Sequence, residues 1–286
     1  MNWSAELYTK TGLSTLLAEA LSQGATEVHF KVPKPALFRI NGGLIETPSP
    51  IVRPQTTNQI AASICALAGR HEDITTVRDL EFSFGMIGIG RFHVVLYRQR
   101  GTLGILIRPA SFDAPTLEAL KIDRKTVAPH LHLPGLIVVL GTTQPQPYLA
   151  GLIQQFNETA PGFIVTLADP ITHLFRDKQA TIAQHHVGTD THAFADGVLR
   201  ASQRGADLIV PFTVNNFETA HAVLEAVEYG STVIIGLPVS QTSEIADWFC
   251  RTEPTQHDTT RERVAKALSF SITVNADANP TLAAHD

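Results

Sequence analysis

The sequence of 286 residues contains only two cysteines, Cys65 and Cys250, which lie far apart in the chain. Two distant cysteines cannot build a disulfide framework or a zinc cluster by themselves, so a reducing, cytosolic setting fits best. Charged residues make up only 17% of the chain, and 22 basic against 27 acidic side chains leave a net charge of -5. This balance argues against a basic nucleic-acid clamp, and the absence of any run of like charge argues against disorder.

Long apolar runs are also missing. The longest strongly apolar run, Leu136–Leu140, is far too short to cross a bilayer. The first residues lack a basic segment followed by an apolar stretch, so no export signal is expected. These features predict a cytoplasmic protein with no membrane insertion, and they leave peripheral association with the inner membrane open.

The length predicts two domains, because a domain commonly holds roughly 150 residues. Residues 109–115 have the proline, serine and aspartate content of a linker, and the hydrophobic pattern changes after them. Short alternating strands and two helices predict an α+β domain over residues 1–110. Continuous apolar strands between helical stretches predict an α/β domain over residues 111–286, with a parallel sheet covered on both faces.

The predicted elements follow from these periodicities. In the first domain they are helices over 13–21 and 57–68 and strands over 27–31, 36–40, 44–46, 80–84, 91–97 and 103–108. In the second domain they are strands over 136–140, 163–167, 208–212 and 232–237, and helices over 149–156, 217–227 and 260–268. A polar tail over 275–286 is expected to fray.

A strand, a glycine turn and a helical stretch follow one another from Leu136 to Phe156, which is the setting of a phosphate-binding loop. The candidate nucleotide-binding residues are those of the turn and the start of the helix: Gly141, Thr142, Thr143, Gln144, Pro145, Gln146, Pro147 and Tyr148.

Several further motifs, in order and spacing, resemble the PilT-like branch of the type II/type IV secretion ATPases. Residues 24–30, Gly-Ala-Thr-Glu-Val-His-Phe, are similar to that family's Gly-Ala-Ser-Asp-Leu-His-Leu, and residues 39–42 to its Arg-Val-Asp-Gly hairpin. Residues 81–84, 90–101 and 165–171 also match. The resemblance implies a PAS-like N-terminal domain joined to a RecA-like, P-loop NTPase-type domain, and assembly into hexameric rings.

The phosphate loop departs from the family pattern. Family members carry Gly-x-x-Gly-x-Gly-Lys-Ser/Thr, whereas this chain has no lysine in residues 141–148. Pro145 and Pro147 remove two backbone donors and fix φ at both positions. The resemblance places Pro147 at the lysine that would meet the β- and γ-phosphates, and Tyr148 at the hydroxyl that would hold Mg²⁺.

Three further family sites are altered. The glutamate that activates water in the family corresponds to Thr213, which cannot serve as a carboxylate base. The acidic residue of the Glu-Asp-Pro box corresponds to Ala168, although Asp169 and Pro170 remain. The histidine box is replaced by residues 230–239. We therefore expect no catalytic residues and weak or absent binding of ATP and magnesium.

Some family positions are retained. Arg91, Arg98 and Arg100 match arginines that reach toward a nucleotide in the family, and their alternative interpretation is a strand with solvated basic residues. Asp207 matches an acidic residue before a strand, where an ordinary turn residue is the favoured interpretation.

Twelve histidines raise the question of a metal. Neither His185, His186 and His192 nor the pair His130 and His132 has helical i, i+4 spacing or a nearby cysteine, so we predict no metal site.

The sequence thus predicts a catalytically inactive PilT-like pseudo-ATPase, without a cofactor, that is a structural or regulatory partner of a type IV pilus or type II secretion motor. Its predicted partners are the motor ATPase, the inner-membrane platform protein or further copies of itself in a ring. One alternative is a weak ATPase that holds phosphate with Thr142, Thr143 and the three arginines. Another is a sensor whose first domain binds a small ligand, for which the sequence offers no specific residue.

Overall fold

A computed structural model describes residues 4–251, 257–275 and 279–285. The chain divides into two compact units, with the division between Ala110 and Ser111. Each unit has its own sheet and its own core. No helix within the described ranges is long and apolar enough to cross a membrane.

The first unit is built from two helices and six strands, besides a short 3-10 turn over Ala5–Tyr8. In chain order they are α1 (Lys10–Ser22), β1 (Glu27–Phe30), β2 (Leu37–Ile40), β3 (Gly43–Glu46), α2 (Pro54–Leu67), β4 (Asp79–Met86), β5 (Gly90–Gln99) and β6 (Thr102–Pro109). The elements predicted for this unit are confirmed, with ends shifted by a few residues. The PAS-like assignment stays a prediction.

The six strands form one antiparallel sheet in the order β3-β2-β1-β6-β5-β4. The hairpin between β2 and β3 turns at Asn41 and Gly42, which both have positive φ, as a two-residue type I′ turn requires. Val28 and Phe30 are fully buried in the same core as residues of α1 and α2, while Glu27 and His29 are only partly buried. The alternation places the helices on one face of the sheet.

Glu27 joins three neighbouring strands on the opposite face. Its Oε2 accepts a hydrogen bond from Arg39 Nε of β2 at 2.6 Å, and its Oε1 accepts one from Arg108 Nε of β6 at 3.0 Å. His29 Nε2 lies 2.8 Å from Oε2. Burial raises the pKa of Glu27, but hydrogen bonds from Arg39, His29 and Arg108 outweigh burial and lower the pKa to about 2.

We expect Glu27→Gln to lower the free energy of unfolding at pH 7 by about 1–3 kcal/mol, because the two guanidinium groups lose their carboxylate partner. The folded pKa lies below the ordinary value of 4.5, so the stabilisation is present above pH 4.5 and is lost as the pH falls toward 2. Urea unfolding of both proteins should therefore show a stability difference that shrinks over this range.

The matched control is Glu46→Gln, which breaks the exposed ion pair with Lys34 and should cost little at any of these pH values. Equal losses of stability in the two variants at pH 7 would contradict the role given to Glu27.

The second unit contains the larger sheet. Its elements are α3 (Arg124–Val127), β7 (Gly135–Leu140), α4 (Gln146–Thr159), β8 (Phe163–Ala168), β9 (Thr181–His186), α5 (Phe194–Gln203), β10 (Leu208–Pro211), α6 (Phe217–Glu228), β11 (Thr232–Gly236), α7 (Ile245–Arg251), α8 (His257–Ala267), β12 (Leu268–Val274) and β13 (Pro280–Ala284). Short 3-10 turns cover Ala128–His132 and Thr242–Glu244.

The strand order is β13-β12-β7-β11-β10-β8-β9, with β12 to β9 parallel and β13 antiparallel to β12. All residues of β7 and β10 are buried, which confirms the predicted parallel sheet covered on both faces. Alternate residues of β7 enter two separate cores: Leu136 and Val138 face one, and Ile137 and Val139 face the other.

The strands β9, β12 and β13 were not predicted. The prediction that the tail frays is wrong for the described residues 279–285. The predicted helix over 260–268 ends at Ala267, because Leu268 already begins β12. Pro280–Ala284 pair with β12 as β13. β9 and β13 are edge strands without a continuous run of large apolar residues, so they carry no strong periodic signal. Residues 276–278 and 286 of the predicted tail lie outside the described residues.

Candidate nucleotide site

The loop after β7 lies at the carboxyl edge of the parallel sheet. Strand β7 is flanked by β11 on one side and β12 on the other, and the chain leaves β7 toward β8 on the β11 side. The connection is thus at a switch point of strand order, where open α/β sheets bind ligands. Helix α4 begins at Gln146, three residues before the predicted start, so residues 146–148 of the candidate loop form its first turn.

Gly141 fixes the start of this loop. Its φ is +79°, and a Cβ on it would lie 2.3 Å from the carbonyl oxygen of Val274, the last residue of β12. Its amide N–H donates to the carbonyl of Val239 at 2.7 Å. Only glycine combines this backbone conformation with such a close approach. The loop backbone is therefore held between the end of β12 and the segment after β11.

Pro145 closes the loop against β11. A Cβ on Gly236, the last residue of β11, would lie 2.4 Å from Pro145 Cβ and 2.5 Å from Pro145 Cγ. Pro145 itself has helical φ and ψ of −72° and −17°, and α4 has no side-chain capping hydrogen bond there. The pyrrolidine ring thus packs directly on the end of a central strand.

The remaining amides of the loop could interact with an anion. Gln144 N–H donates to Thr142 Oγ1 at 3.1 Å, and the two prolines have no N–H to offer. Four amide N–H groups of residues 141–148 have no hydrogen-bond acceptor among the described residues. They are those of Thr142, Thr143, Gln146 and Tyr148. Free amides at a helix N-terminus favour an anion, but no lysine or arginine lies in residues 141–148 to add to that attraction.

Tyr148 does not replace the hydroxyl ligand of a magnesium site. Its side chain is 9% exposed and belongs to the core that contains Leu149, Ile153 and Val274. The phenol therefore anchors the first turn of α4 to the sheet.

The segment after β10 carries no carboxylate at the position of the family's catalytic glutamate. Thr213 is half-buried there, and Asn216 caps α6 by accepting the Thr219 N–H at 2.9 Å. In place of the histidine box, Thr232–Gly236 form β11, with Val233, Ile234 and Ile235 fully buried. These residues therefore serve the fold, as a cap and as a central strand.

Asp169, at the end of β8, has a partner that the sequence reasoning missed. Its Oδ1 lies 3.1 Å from Nε2 of His186, whose Nδ1 lies 3.1 Å from Oγ1 of Thr189. His186 is 8% exposed and ends β9 beside β8. The sequence did not predict β9, so it gave no reason to expect His186 beside Asp169.

Asp207 lies at the opposite edge of the sheet from the loop, directly before β10. Its Oδ2 accepts the backbone N–H of Phe163 at 2.7 Å, where β8 begins. This contact favours the interpretation of Asp207 as a structural turn residue.

The three arginines lie in the first unit and differ in their surroundings. Arg98 donates to three carbonyl oxygens before β4, those of Ile74, Thr75 and Val77, at 3.0, 2.9 and 2.8 Å. Arg91 has a buried Nε without a partner in the part of the chain that the structure describes. Arg100 is exposed in the turn between β5 and β6. Arg98 has a structural task, so loss of an activity in Arg98→Ala would not assign it to a ligand.

Two of the histidines considered as metal ligands, His130 and His132, pack against aromatic rings. His130 stacks on Phe270 with ring centroids 4.3 Å apart, and His132 lies 5.1 Å from the ring of Phe156. Among the described residues, no group of three or more histidines, cysteines or carboxylates is placed to hold a metal ion.

The sequence has relatives among pilus proteins. It is 26% identical over 211 residues to the type IV pilus ATPase PilU of Pseudomonas aeruginosa, covering 73% of this chain and 55% of PilU. It is 26% identical over 243 residues to the PilT retraction ATPase of the same organism, covering 82% of this chain and 69% of PilT. This chain thus spans little more than half the length of PilU. No protein-family model matches the sequence.

Solved structures establish the fold. A crystal structure of the pilus retraction motor PilT with bound ADP aligns with 96% of this chain and 82% of its own, at a TM-score of 0.77 and 23% identity. The Legionella pneumophila ATPase DotB aligns with 96% of this chain and 79% of its own, at a TM-score of 0.72 and 18% identity. The chain therefore shares its two-sheet α/β fold with the solved structures of PilT and DotB.

Among proteins with this fold, the sequence relatives make the assignment finer, because they include PilT, PilU and a twitching motility protein of Neisseria gonorrhoeae that is 25% identical over 219 residues. In sequence and in fold, the chain is similar to the PilT-like family of type II/type IV secretion ATPases.

Gly141→Ala should destabilise the protein more than Gly205→Ala. Both glycines have positive φ, +79° and +73°, so both alanines are strained by about 1–2 kcal/mol. A Cβ at position 205 meets nothing within 4 Å, whereas the one at position 141 collides with the Val274 carbonyl. Urea unfolding of the two variants measures the difference, and equal stabilities would contradict the close packing described for the loop.

Proposed function

We propose that this protein is a catalytically inactive member of its family, a pseudo-ATPase that acts as a structural or regulatory partner of a type IV pilus or type II secretion motor. The observation that carries the proposal is the loop after β7. Pro145 packs its ring on Gly236, Tyr148 is buried in the core, and no cation lies in residues 141–148.

The loss of affinity expected from such a loop is large. A hydrogen bond to a charged group contributes about 1.5–3 kcal/mol, and every 1.4 kcal/mol is about tenfold in affinity. Losing the lysine and the metal-holding hydroxyl together would therefore weaken nucleotide binding by a few orders of magnitude.

The residues present do not fit a magnesium–nucleotide complex. A phosphate loop needs successive amides that converge on oxygens, a lysine and a small hydroxyl. Here two of the amides are replaced by prolines, and the hydroxyl position is a buried phenol. Thr213 also offers no base to activate water, so the proposed function includes no hydrolytic step.

A role in assembly follows from what is retained. The chain shares the fold of PilT over 96% of its length. The backbone that supports the contact surfaces of family members is therefore present. The proposed partners are an active motor ATPase, its inner-membrane platform protein, or other copies of this chain in a ring. Closed rings are built from repeated interfaces of this kind.

Mixing the purified chain with its cognate active motor should change the motor's ATPase rate or its ring size. If the chain enters rings at one copy per active subunit, the rate per ring should fall roughly twofold. A coupled phosphate-release assay with light scattering measures both. The chain alone, which should give only background release, is one control, and an unrelated protein of similar net charge is the other. No association at micromolar concentrations would contradict the proposed role.

A second candidate is a weak nucleotide-binding protein with a non-standard loop. The observation in its favour is the set of four unpaired amides at and before the start of α4. Thr142 and Thr143 would supply two of these amides together with their hydroxyl groups. Magnesium-dependent turnover by the chain alone would favour this candidate over the pseudo-ATPase.

A further inference from the structure

A positively charged cleft lies in the first unit, between the β1–β2 connection and the β5–β6 turn. Its volume is about 420 Å³. It is lined by Lys31, Val32, Pro33, Gln99, Arg100 and Thr102. Lys31 and Arg100 are cations and no carboxylate is among the six, so the charged groups that line the cleft are all positive.

The two cations have no ion-pair partner among the described residues. Neither Lys31 nor Arg100 forms an ion pair with any carboxylate in residues 4–251, 257–275 or 279–285. Other cations of the same unit do: Lys34 pairs with Glu46, while Arg39 and Arg108 share Glu27. Since both unpaired cations are also exposed, both are available to a ligand.

The backbone that presents them is already ordered. Arg100 and Gly101 form the β5–β6 turn with φ of +48° and +76°. Thr102 Oγ1 donates to the carbonyl of Gln99 at 3.0 Å, and on the other side of the cleft the Lys34 N–H donates to the carbonyl of Lys31 at 2.9 Å. A ligand would therefore cost little loop-ordering entropy on binding.

We propose that this cleft binds an anion of the phosphate class, either a free diphosphate or the headgroup of an anionic phospholipid. A guanidinium fork and an ammonium group together match the oxygens and charge of such a ligand. All lining residues lie between positions 31 and 102, so the cleft is complete without the loop after β7. The proposal therefore holds whether or not the loop after β7 binds nucleotide.

The test uses the full chain in two binding experiments. In the first, pyrophosphate is titrated into the protein in a calorimeter. In the second, the protein is sedimented with vesicles of phosphatidylcholine, either alone or mixed with phosphatidylglycerol. The double variant Lys31→Gln/Arg100→Gln should weaken binding to the responsive probe at least tenfold, about the effect of one lost charged contact. The matched control Lys10→Gln/Arg204→Gln removes the same charges from exposed residues outside the cleft and should stay within about twofold of wild type.

If the wild-type chain binds pyrophosphate and the double variant does not, a free diphosphate is supported as the ligand. If the wild-type chain binds only the vesicles with phosphatidylglycerol and the double variant does not, a lipid headgroup is supported. Thermal unfolding should show both variants folded, since none of the four side chains has an ion-pair partner in the described residues. The proposal is overturned if neither probe binds the wild-type chain, or if the double variant binds as tightly as the control.

Discussion

The carboxyl end of β7 is held by two contacts so close that only glycine is accommodated at each. The carbonyl of Val274 lies against Gly141, and the ring of Pro145 lies against Gly236. Together they tie the loop to the strands on either side of β7, while Tyr148 anchors the start of α4 in the core. The loop is consequently a packed connection between strand and helix. Four of its amides have no acceptor among the described residues.

Packing and chemistry place different demands on sequence, which explains how one can persist without the other. A buried strand needs apolar side chains of suitable volume, and many sequences satisfy that need. A phosphate site needs particular donors, a cation and a metal ligand at fixed points, so a single proline or tyrosine removes an essential part. In this chain strand β7 is apolar and fully buried. The resemblance to the family places Pro147, Thr213 and strand β11 at the positions of the lysine, the glutamate and the histidine box.

How far the sequence predicts this structure depends on how much periodic signal each segment carries. The strands β7, β8, β10 and β11 were predictable because their apolar residues are continuous. Strands β9 and β13 were not, because Thr181–His186 and Pro280–Ala284 are short edge segments without a continuous run of large apolar residues.

The same distinction applies to the site. The missing lysine and the two prolines were readable directly from residues 141–148. The contact of Pro145 with Gly236 and that of Asp169 with His186 join segments distant in sequence, so only the fold reveals them. The structural task of Arg98 was hidden for the same reason, since its carbonyl partners lie more than 20 residues earlier. The local sequence thus predicted that the loop has no lysine and two prolines. Only the three-dimensional structure showed how Pro145 packs against Gly236.

Titration of the full chain with ATP in a calorimeter, with and without magnesium and with an active PilT-type motor as positive control, tests the central claim most directly. The account predicts no saturable heat at micromolar nucleotide and no effect of magnesium, because the loop after β7 has neither a cation nor a metal-holding hydroxyl. Tight, magnesium-dependent binding of ATP by this chain alone would contradict it.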